Sequence, residues 1–460
     1  MLKDLLSPHR DEFKNHTELR AQINTSNRVT LLAGNMVSNT QSSVGGVSAR
    51  VYKGGTYGFS SSAGYTDESI RNVIKAAEDN AEFMDKHVQK AMPPLPKVQA
   101  GNVGLKIKYE EPTPQSYLID FANELDSIIT KKFKKLTSRT VVADILNIEK
   151  LLAISEGAGT HWFQPRSSVY VFMTAETDDG VPMELFHPFS VLGRFDKVYP
   201  DASALTPELD KLYESLMKKR EGVYSKAGLC KCVMHPELAG ILAHEAVGHT
   251  VEADLVLGGS VAGDNMNKKV ASELVTMVDF AHTAYGEPCP LPVYVDDEGV
   301  IAEDVMLIEE GILMNFMHSR ETARHFNVKP QGNARGFLFS DEPLIRMRNT
   351  VIRPGESKLD DMIASIDDGY YLVKTGNGQA DSTGEFMFSV ELGYEIKNGK
   401  LGKAIRETTI SGVAFEMLKT VDMVSDDMFW SISGFCGKKQ PMTTGMGGPA
   451  VRCEINIGGR

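Results

Sequence analysis

Along the first half of the chain, apolar positions recur with two periods. Residues 29–32 and 47–52 alternate as strands do, joined by a Ser-, Gly- and Asn-rich connection over 34–46, and 57–60 is a further short β run. Thr66 caps a predicted helix that places Ile70, Val73, Ile74 and Ala77 on one face. The proline-rich segment 91–96 reads as a linker. Thr113-Pro114 opens a second amphipathic helix through Leu118, Phe121, Leu125, Ile128 and Ile129. Residues 140–146, 150–156 and 167–175 are predicted strands, rich in β-branched and aromatic side chains. Thr206-Pro207-Glu208 starts a third helix that ends near Lys219, and 221–228 reads as a boundary.

The second half has a different texture. Residues 291–296, 305–309, 311–318, 344–351, 370–375, 386–397 and 451–457 are short predicted strands separated by Gly or Asn turns. Such spacing points to a sandwich or barrel. Into it is set one apolar helix, starting at Pro236-Glu237 and stopping at Gly258-Gly259. The predicted class is α+β. An N-terminal mixed α/β domain covers residues 1–222. A C-terminal β-rich, barrel- or sandwich-like domain covers residues 223–460 and carries that helix.

Composition narrows the function. A chain of 460 residues is too long for one core, and 42% apolar with 24% charged residues is ordinary globular composition. The net charge is −12, and the basic runs at 131–135 and 218–220 fall on amphipathic helical patterns as solvated faces. This excludes a nucleic-acid groove, which needs a far more basic footprint. The first ten residues hold no apolar run of signal-peptide length, and no stretch of 18 apolar residues occurs. Five scattered cysteines suit a reducing compartment, so a cytoplasmic protein is expected.

The chemistry concentrates in the apolar helix, where His244-Glu245-Ala246-Val247-Gly248-His249 reads HExxxH. Imidazole is the commonest zinc ligand, and a Glu beside it is the usual base of a zinc hydrolase. On an ideal helix, histidines at i and i+5 lie about 140° apart, against about 40° for the familiar i, i+4 pair. The two rings meet at one Zn2+ only if the turn distorts, and a π-bulge permitted by Gly248 is the expected form. Glu252 is read as a partner of a ligand rather than a ligand. Among the cysteines, Cys230, Cys232, Cys289 and Cys453 sit in core-like or edge-like runs. Cys436 lies between glycines, beside Lys438 and Lys439, whose charges would favour the thiolate. It is the leading third donor. A closed site completed by Glu252 or Asp254, with no open water position, stays open at this point, as does a buried helix with two incidental histidines.

The HEAVGH helix, the Asp296-Asp297-Glu298-Gly299 turn, the strand from Arg346 to Thr350, Lys374-Thr375-Gly376 and Gly437-Lys438 after Cys436 resemble the TldD/PmbA metallopeptidases, also called modulators of DNA gyrase. The resemblance covers nearly the whole chain. It is nearest the TldD-type subunit, since the PmbA-type partner lacks HExxxH. It implies a zinc peptidase with ligands matching His244, His249 and Cys436, and Glu245 as catalytic base. It also implies a homodimer, or a heterodimer with a PmbA-type subunit, acting on small or unfolded peptides. Two further expectations concern substrate. The loop from Thr443 to Gly448 leaves an extended peptide room to add to a sheet edge or, more simply, is a flexible turn before the last strand. His318, Arg320, Arg324 and His325 are oxyanion candidates or, more simply, a solvated helix start. The alternative function is a non-catalytic, metal-binding regulator of DNA gyrase or another protein.

Overall fold

A computed structural model describes residues 2, 5–87, 92–98, 102–104, 112–431 and 434–459. Of the predicted linker, Ala91 lies outside the described residues, and 92–96 carries neither helix nor strand.

The first half is built on one seven-stranded sheet. Strands β1 (His16–Leu32), β2 (Asn35–Lys53), β3 (Thr56–Ser62), β4 (Asn102–Gly104), β5 (Ser138–Ile154), β6 (Gly159–Glu176) and β7 (Pro182–Leu192) run in the order β3-β2-β1-β5-β6-β4, with β7 also on β6. Two expectations change here. Residues 34–46 are not a connection but most of β2, turned back at Ala33-Gly34, both with positive φ (49° and 84°). Over 35–44 this strand is largely exposed, most of its residues are polar, and the exposed Met36, Val37 and Val44 form no alternation to read. Residues 140–146 and 150–156 belong to one strand, β5.

Period-two alternation divides the labour of this sheet. The odd positions Leu19, Ala21, Val29 and Leu31 of β1, and Val141, Ala143 and Ile145 of β5, are buried in the helix-side cores. Helix α1 (Asp67–Asp85) lies on β2 and β3, α2 (Gln115–Lys132) on β1 and β5, and α3 (Thr206–Arg220) on β6 and β7. The α2 anchors Leu118, Phe121, Leu125 and Ile129 are all at most 3% exposed. Each contributes roughly 1.5–3 kcal/mol by burial. The even positions Glu18, Arg20, Gln22 and Asn24 face the second half of the chain.

That second half closes a five-stranded barrel. Strands β8 (Gly228–Met234), β9 (Asp368–Ala380), β10 (Glu385–Lys397), β11 (Thr408–Val413) and β12 (Val451–Ile457) pair in the cyclic order β8-β9-β10-β11-β12, only β8–β9 being parallel. Strand β8 runs directly into helix α4 (Pro236–Leu242), whose first turn is capped by the His235 side chain. Beside the barrel, a six-stranded sheet orders Ile312–Leu313, Val305–Glu309, Met277–Phe280, Asn349–Ile352, Gly445–Gly448 and Phe429–Ser431. Segment 291–296, expected as a strand, has a single bridge (Val295 to Ile301). Its backbone is held by isolated backbone bonds, such as Val293 N to the Ala281 carbonyl at 2.8 Å, and by side chains, as where Asn349 Oδ1 accepts from Leu291 N at 2.9 Å. Among the described residues no helix is long and apolar enough to cross a membrane.

The halves meet along a buried, charged seam. Asp297 Oδ2 accepts from Arg20 Nη1 (2.9 Å), Lys150 Nζ (2.6 Å) and Gly336 N (2.7 Å). Glu298 takes Arg50 and the backbone N–H of Arg320. Arg320 in turn reaches Glu156 at 2.7 Å. The charged turn 296–299 is thus the acceptor on which the first sheet docks.

Candidate metal centre

Helix α4 does not continue as an α-helix through the histidines. Residues Ala243–Gly248 form a π turn, followed by a 3-10 turn at His249–Val251. The N–H of His249 donates to the carbonyl of His244, an i to i+5 bond. This widened turn returns residue i+5 to the face of residue i, and the two rings stand 5.2 Å apart, centroid to centroid. Gly248 makes it possible, though not by backbone freedom, since its φ is −54°. A Cβ there would lie 2.1 Å from Met347 Sδ, so glycine is required for space.

Cys436 arrives on the short ladder Phe435–Cys436 against Met442–Thr443. Its Sγ lies 3.3 Å from His249 Nε2. One donor atom each from His244, His249 and Cys436 lies within 4.8 Å of the other two. The structure brings Glu245 to the same place, its carboxylate 3.6 Å from His249 Nε2 and 3.9 Å from His244 Nε2. Glu245 is a third exposed, whereas His244 and Cys436 are buried.

Each group is electrostatically tuned. Burial, then the charges of His249, Arg346 and Arg335, push His244 well below the usual imidazole range, so it is neutral. Both of its ring nitrogens are buried without a hydrogen-bond partner among the described residues. His249 is different. Burial lowers its pKa, but the Glu252 carboxylate and the Cys436 sulfur outweigh burial and raise it to about 10. With Glu252 Oε2 2.8 Å from Nδ1, that nitrogen donates and Nε2 is directed at Cys436. Burial raises the Cys436 thiol, and the His249 hydrogen bond and the His249 and Arg346 charges reverse this to a net lowering. Burial raises Glu245, and the opposing His249 charge does not cancel it.

The lysines play another part than the one read from sequence. Lys438 Nζ pairs with Asp254 (2.7 Å) and Glu252 (3.2 Å), and Lys439 is exposed with φ 56°. Asp254 is thereby held in an ion pair, and Glu252 shares its Oε2 between His249 and Lys438. The thiol owes its lowered pKa to His249 and Arg346. The oxyanion candidates fare likewise: His318 and Arg320 are buried, Arg320 is held in the seam, and Arg324 is held against Tyr52. The segment Gly445–Gly448 is an interior strand, paired with Asn349–Ile352 and Phe429–Ser431, and cannot accept an added strand. The close approach of α4 rests on the helix's own Gly240, where a Cβ would lie 2.7 Å from Gly447 Cα, whereas a Cβ on Gly447 would meet the Phe429 carbonyl oxygen at 2.1 Å.

Sequence reasoning missed Arg346. It is fully buried, donates to the carbonyls of Cys436 (2.7 Å) and Lys438, and so holds the cysteine loop in place. The signal was present: an Arg inside an apolar strand run must find acceptors.

The chain matches two family models, the "PmbA/TldA metallopeptidase C-terminal domain" over residues 227–459 and "PmbA/TldA metallopeptidase domain 1" over residues 17–81. It is 30% identical to a zinc metalloprotease TldD homolog of Saccharolobus solfataricus, over 85% of this chain and 80% of that one. It is also 30% identical to a metalloprotease of Methanocaldococcus jannaschii, over 97% of both. Two solved structures share the fold at 17% identity. One, from Thermotoga maritima, is described as a candidate modulator of a DNA gyrase (TM-score 0.77, 98% of both chains). The other is TldE from Thermococcus kodakarensis (TM-score 0.73, 100% of both chains).

Proposed function

The chain belongs to the PmbA/TldD metallopeptidase family, and from that premise we propose that it is a zinc-dependent peptidase cleaving small or unfolded peptides held in extended form. In this reading His244, His249 and Cys436 hold the metal, Glu245 is the base, and residues 223–460 form the catalytic domain. The convergence of the three donors beside one partly exposed carboxylate carries the reading.

The donor set fits zinc. A neutral imidazole with two unsatisfied buried nitrogens, a second imidazole oriented by Glu252, and a low-pKa thiol are the ligand types of a three-ligand catalytic site. Zinc bound there lowers the pKa of water and polarises the scissile carbonyl. Glu245 takes a proton from the attacking water and delivers it to the leaving amine nitrogen as the C–N bond breaks. Its raised pKa moves this carboxylate toward the working pH of a base. Among the described residues strand β7 pairs only with β6, and its last residue, Leu192, lines a cavity together with Met442 and Thr443. That edge offers an extended peptide a backbone ladder leading to the cysteine loop.

The partner proposed is a second copy or a PmbA-type subunit, in keeping with the shared fold of TldE. The compartment proposed is the cytoplasm, where five free thiols persist. The name of the Thermotoga maritima neighbour favours a second reading, a non-catalytic metal-binding regulator of a DNA gyrase. Glu245 decides between the two. Glu245→Gln is expected to retain stoichiometric zinc and lose peptide cleavage, and His249→Ala to lose zinc by elemental analysis. Cleavage by the Gln variant would refute the assignment of the base, and full zinc in the Ala variant that of the ligand.

A further inference from the structure

A cavity of about 240 Å³ opens where the first sheet meets the second half of the chain. Its walls are aromatic: Trp162 and Phe163 from β6, Tyr294 and Phe337 from across the seam. Its polar side chains include Lys150, Asp297 and Arg335. Met442 and Thr443 complete it, and Met442 is the ladder partner of Cys436. Phe337 touches Phe435, at 6.1 Å between ring centroids. The cavity therefore backs directly onto the cysteine loop. Arg335 is close enough to help hold His244 neutral.

The charges in this cavity do not balance. Asp297 spends Oδ2 on Arg20, Lys150 and Gly336 N. The next carboxylate, Asp279, is bound by Arg348 at 2.8 Å and by Asn333 at 2.9 Å. Among the described residues Arg335, 7% exposed, donates only to the Met347 carbonyl, and its buried Nε has no hydrogen-bond partner. Burial first, then Arg346, pulls its pKa down to about 10, and the Asp279 and Asp297 carboxylates, each already paired with other cations, do not offset this. A guanidinium kept in this state, in a chain of net charge −12, is a poor structural choice and a good anion receptor. The apolar walls make a carboxylate on a peptide a better fit than a bare inorganic anion.

We propose that this cavity is a carboxylate-binding subsite anchored by Arg335, selecting peptides with a free C-terminal carboxylate or an acidic side chain next to the bond cleaved. The proposal rests on the peptidase reading for its purpose, though not for its binding chemistry. The fork of Arg335 pairs with the carboxylate, and the aromatic walls take the adjoining apolar part.

Trp162 lines the cavity, and the only other tryptophan is Trp430, so a Trp430→Phe background makes the cavity wall the reporter. Metal-free protein is titrated with three N-acetylated peptides: one with a free C-terminus and no acidic residue, one amidated with Glu, and one amidated with Gln. The expected result is binding at least about tenfold tighter for one carboxylate peptide over the neutral one. Whichever peptide gains identifies the source of the carboxylate. Arg335→Met removes the difference, and Arg335→Lys, which keeps the charge without the fork, retains part of it. In the zinc-loaded protein, kcat/KM follows the same ranking. Equal binding of charged and neutral peptides to the unmutated site overturns the subsite, whether or not any variant folds. An unchanged preference in folded Arg335→Met overturns the anchor. Cleavage of none of the three by zinc-loaded protein counts against the peptidase reading, and the metal-free titration still decides the subsite.

Discussion

Gly248→Ala sets two physical effects against each other in the turn that joins the histidines. Helix propensity alone predicts a gain, since Ala is favoured over Gly by about 1 kcal/mol in a helix and the φ of −54° suits any residue. Sterics predict a loss. The new Cβ would lie 2.1 Å from Met347 Sδ, 3.1 Å from its Cε and 3.3 Å from the Ala243 carbonyl oxygen. A normal contact of this kind is about 3.5–4.0 Å, so Met347 or the turn must move by more than an ångström. Met347 is 1% exposed and packed in the main core of the second half, so its displacement must push into close-packed neighbours. Overpacking of this type costs about 1–3 kcal/mol, which exceeds the propensity gain. The strain falls one residue before His249, so zinc affinity drops with stability. Urea denaturation of metal-free protein and zinc competition against a chromophoric chelator measure the two effects. Gly437→Ala is the control: it also adds a Cβ in the metal loop, with nothing within 4 Å, and is expected to stay within about 0.5 kcal/mol of wild type. Met347→Ala combined with Gly248→Ala should show positive coupling, because the second substitution removes the obstacle to the first. A Gly248→Ala protein as stable as wild type, or more so, with unchanged zinc affinity, would refute the steric account.

Three other outcomes follow from the same geometry. Glu252→Gln keeps the shape of the side chain that holds His249 Nδ1 but removes its charge, so zinc affinity should fall about 10- to 100-fold with the fold intact; unchanged affinity would show that Glu252 does not orient the ligand. His249 has a pKa of about 10 without metal, so zinc binding at neutral pH must expel its proton; affinity should rise about tenfold per pH unit, and calorimetric heats should depend on the buffer, both absent if His249 is not a ligand. In the seam, burial raises Glu18 and Glu156, but the charges of Arg50 and His16 on Glu18, and the His16 hydrogen bond and Arg320 charge on Glu156, bring both down to about 2. Their folded values lie below the ordinary 4.5, so their contribution is complete above that pH and is lost as pH falls toward 2; Glu156→Gln should flatten the urea-midpoint profile over that range, and an identical profile would remove Glu156 from the linkage.

Much of the site was legible because its chemistry and its steric demands leave marks at short range. Two histidines five apart, with a glycine before the second, already require a non-α turn, and the structure has one. Cys436 stood out by its glycine flanks. What stayed hidden depends on partners distant in sequence. Lys438 looked like a neighbour for the thiol, yet its ammonium is drawn to Asp254 and Glu252, 184 residues upstream in the case of Asp254. Arg320 looked like a solvated helix start and is buried against Glu156 from β5's far turn. The stretch Gly445–Gly448 looked like a flexible loop because glycine removes the side chains that mark a strand. Here that removal makes room at Gly447 for the neighbouring strand, whose Phe429 carbonyl oxygen a Cβ would meet at 2.1 Å. The first part of β2, residues 35–44, was misread for the opposite reason: largely exposed, it has no apolar stripe.

The closure of the barrel has a consequence for biosynthesis. Strand β8 leads into the histidine helix, but its neighbour β12 is made more than two hundred residues later, and Cys436 follows His249 by 187 residues. A nascent chain thus carries both histidines and the glutamate long before it has the thiol, the Arg346-held loop or the strand that completes the barrel wall. Until then the three donors cannot meet. In the proposed reading, the order of translation therefore delays assembly of the metal centre, and chains broken off before the cysteine loop lack its third donor.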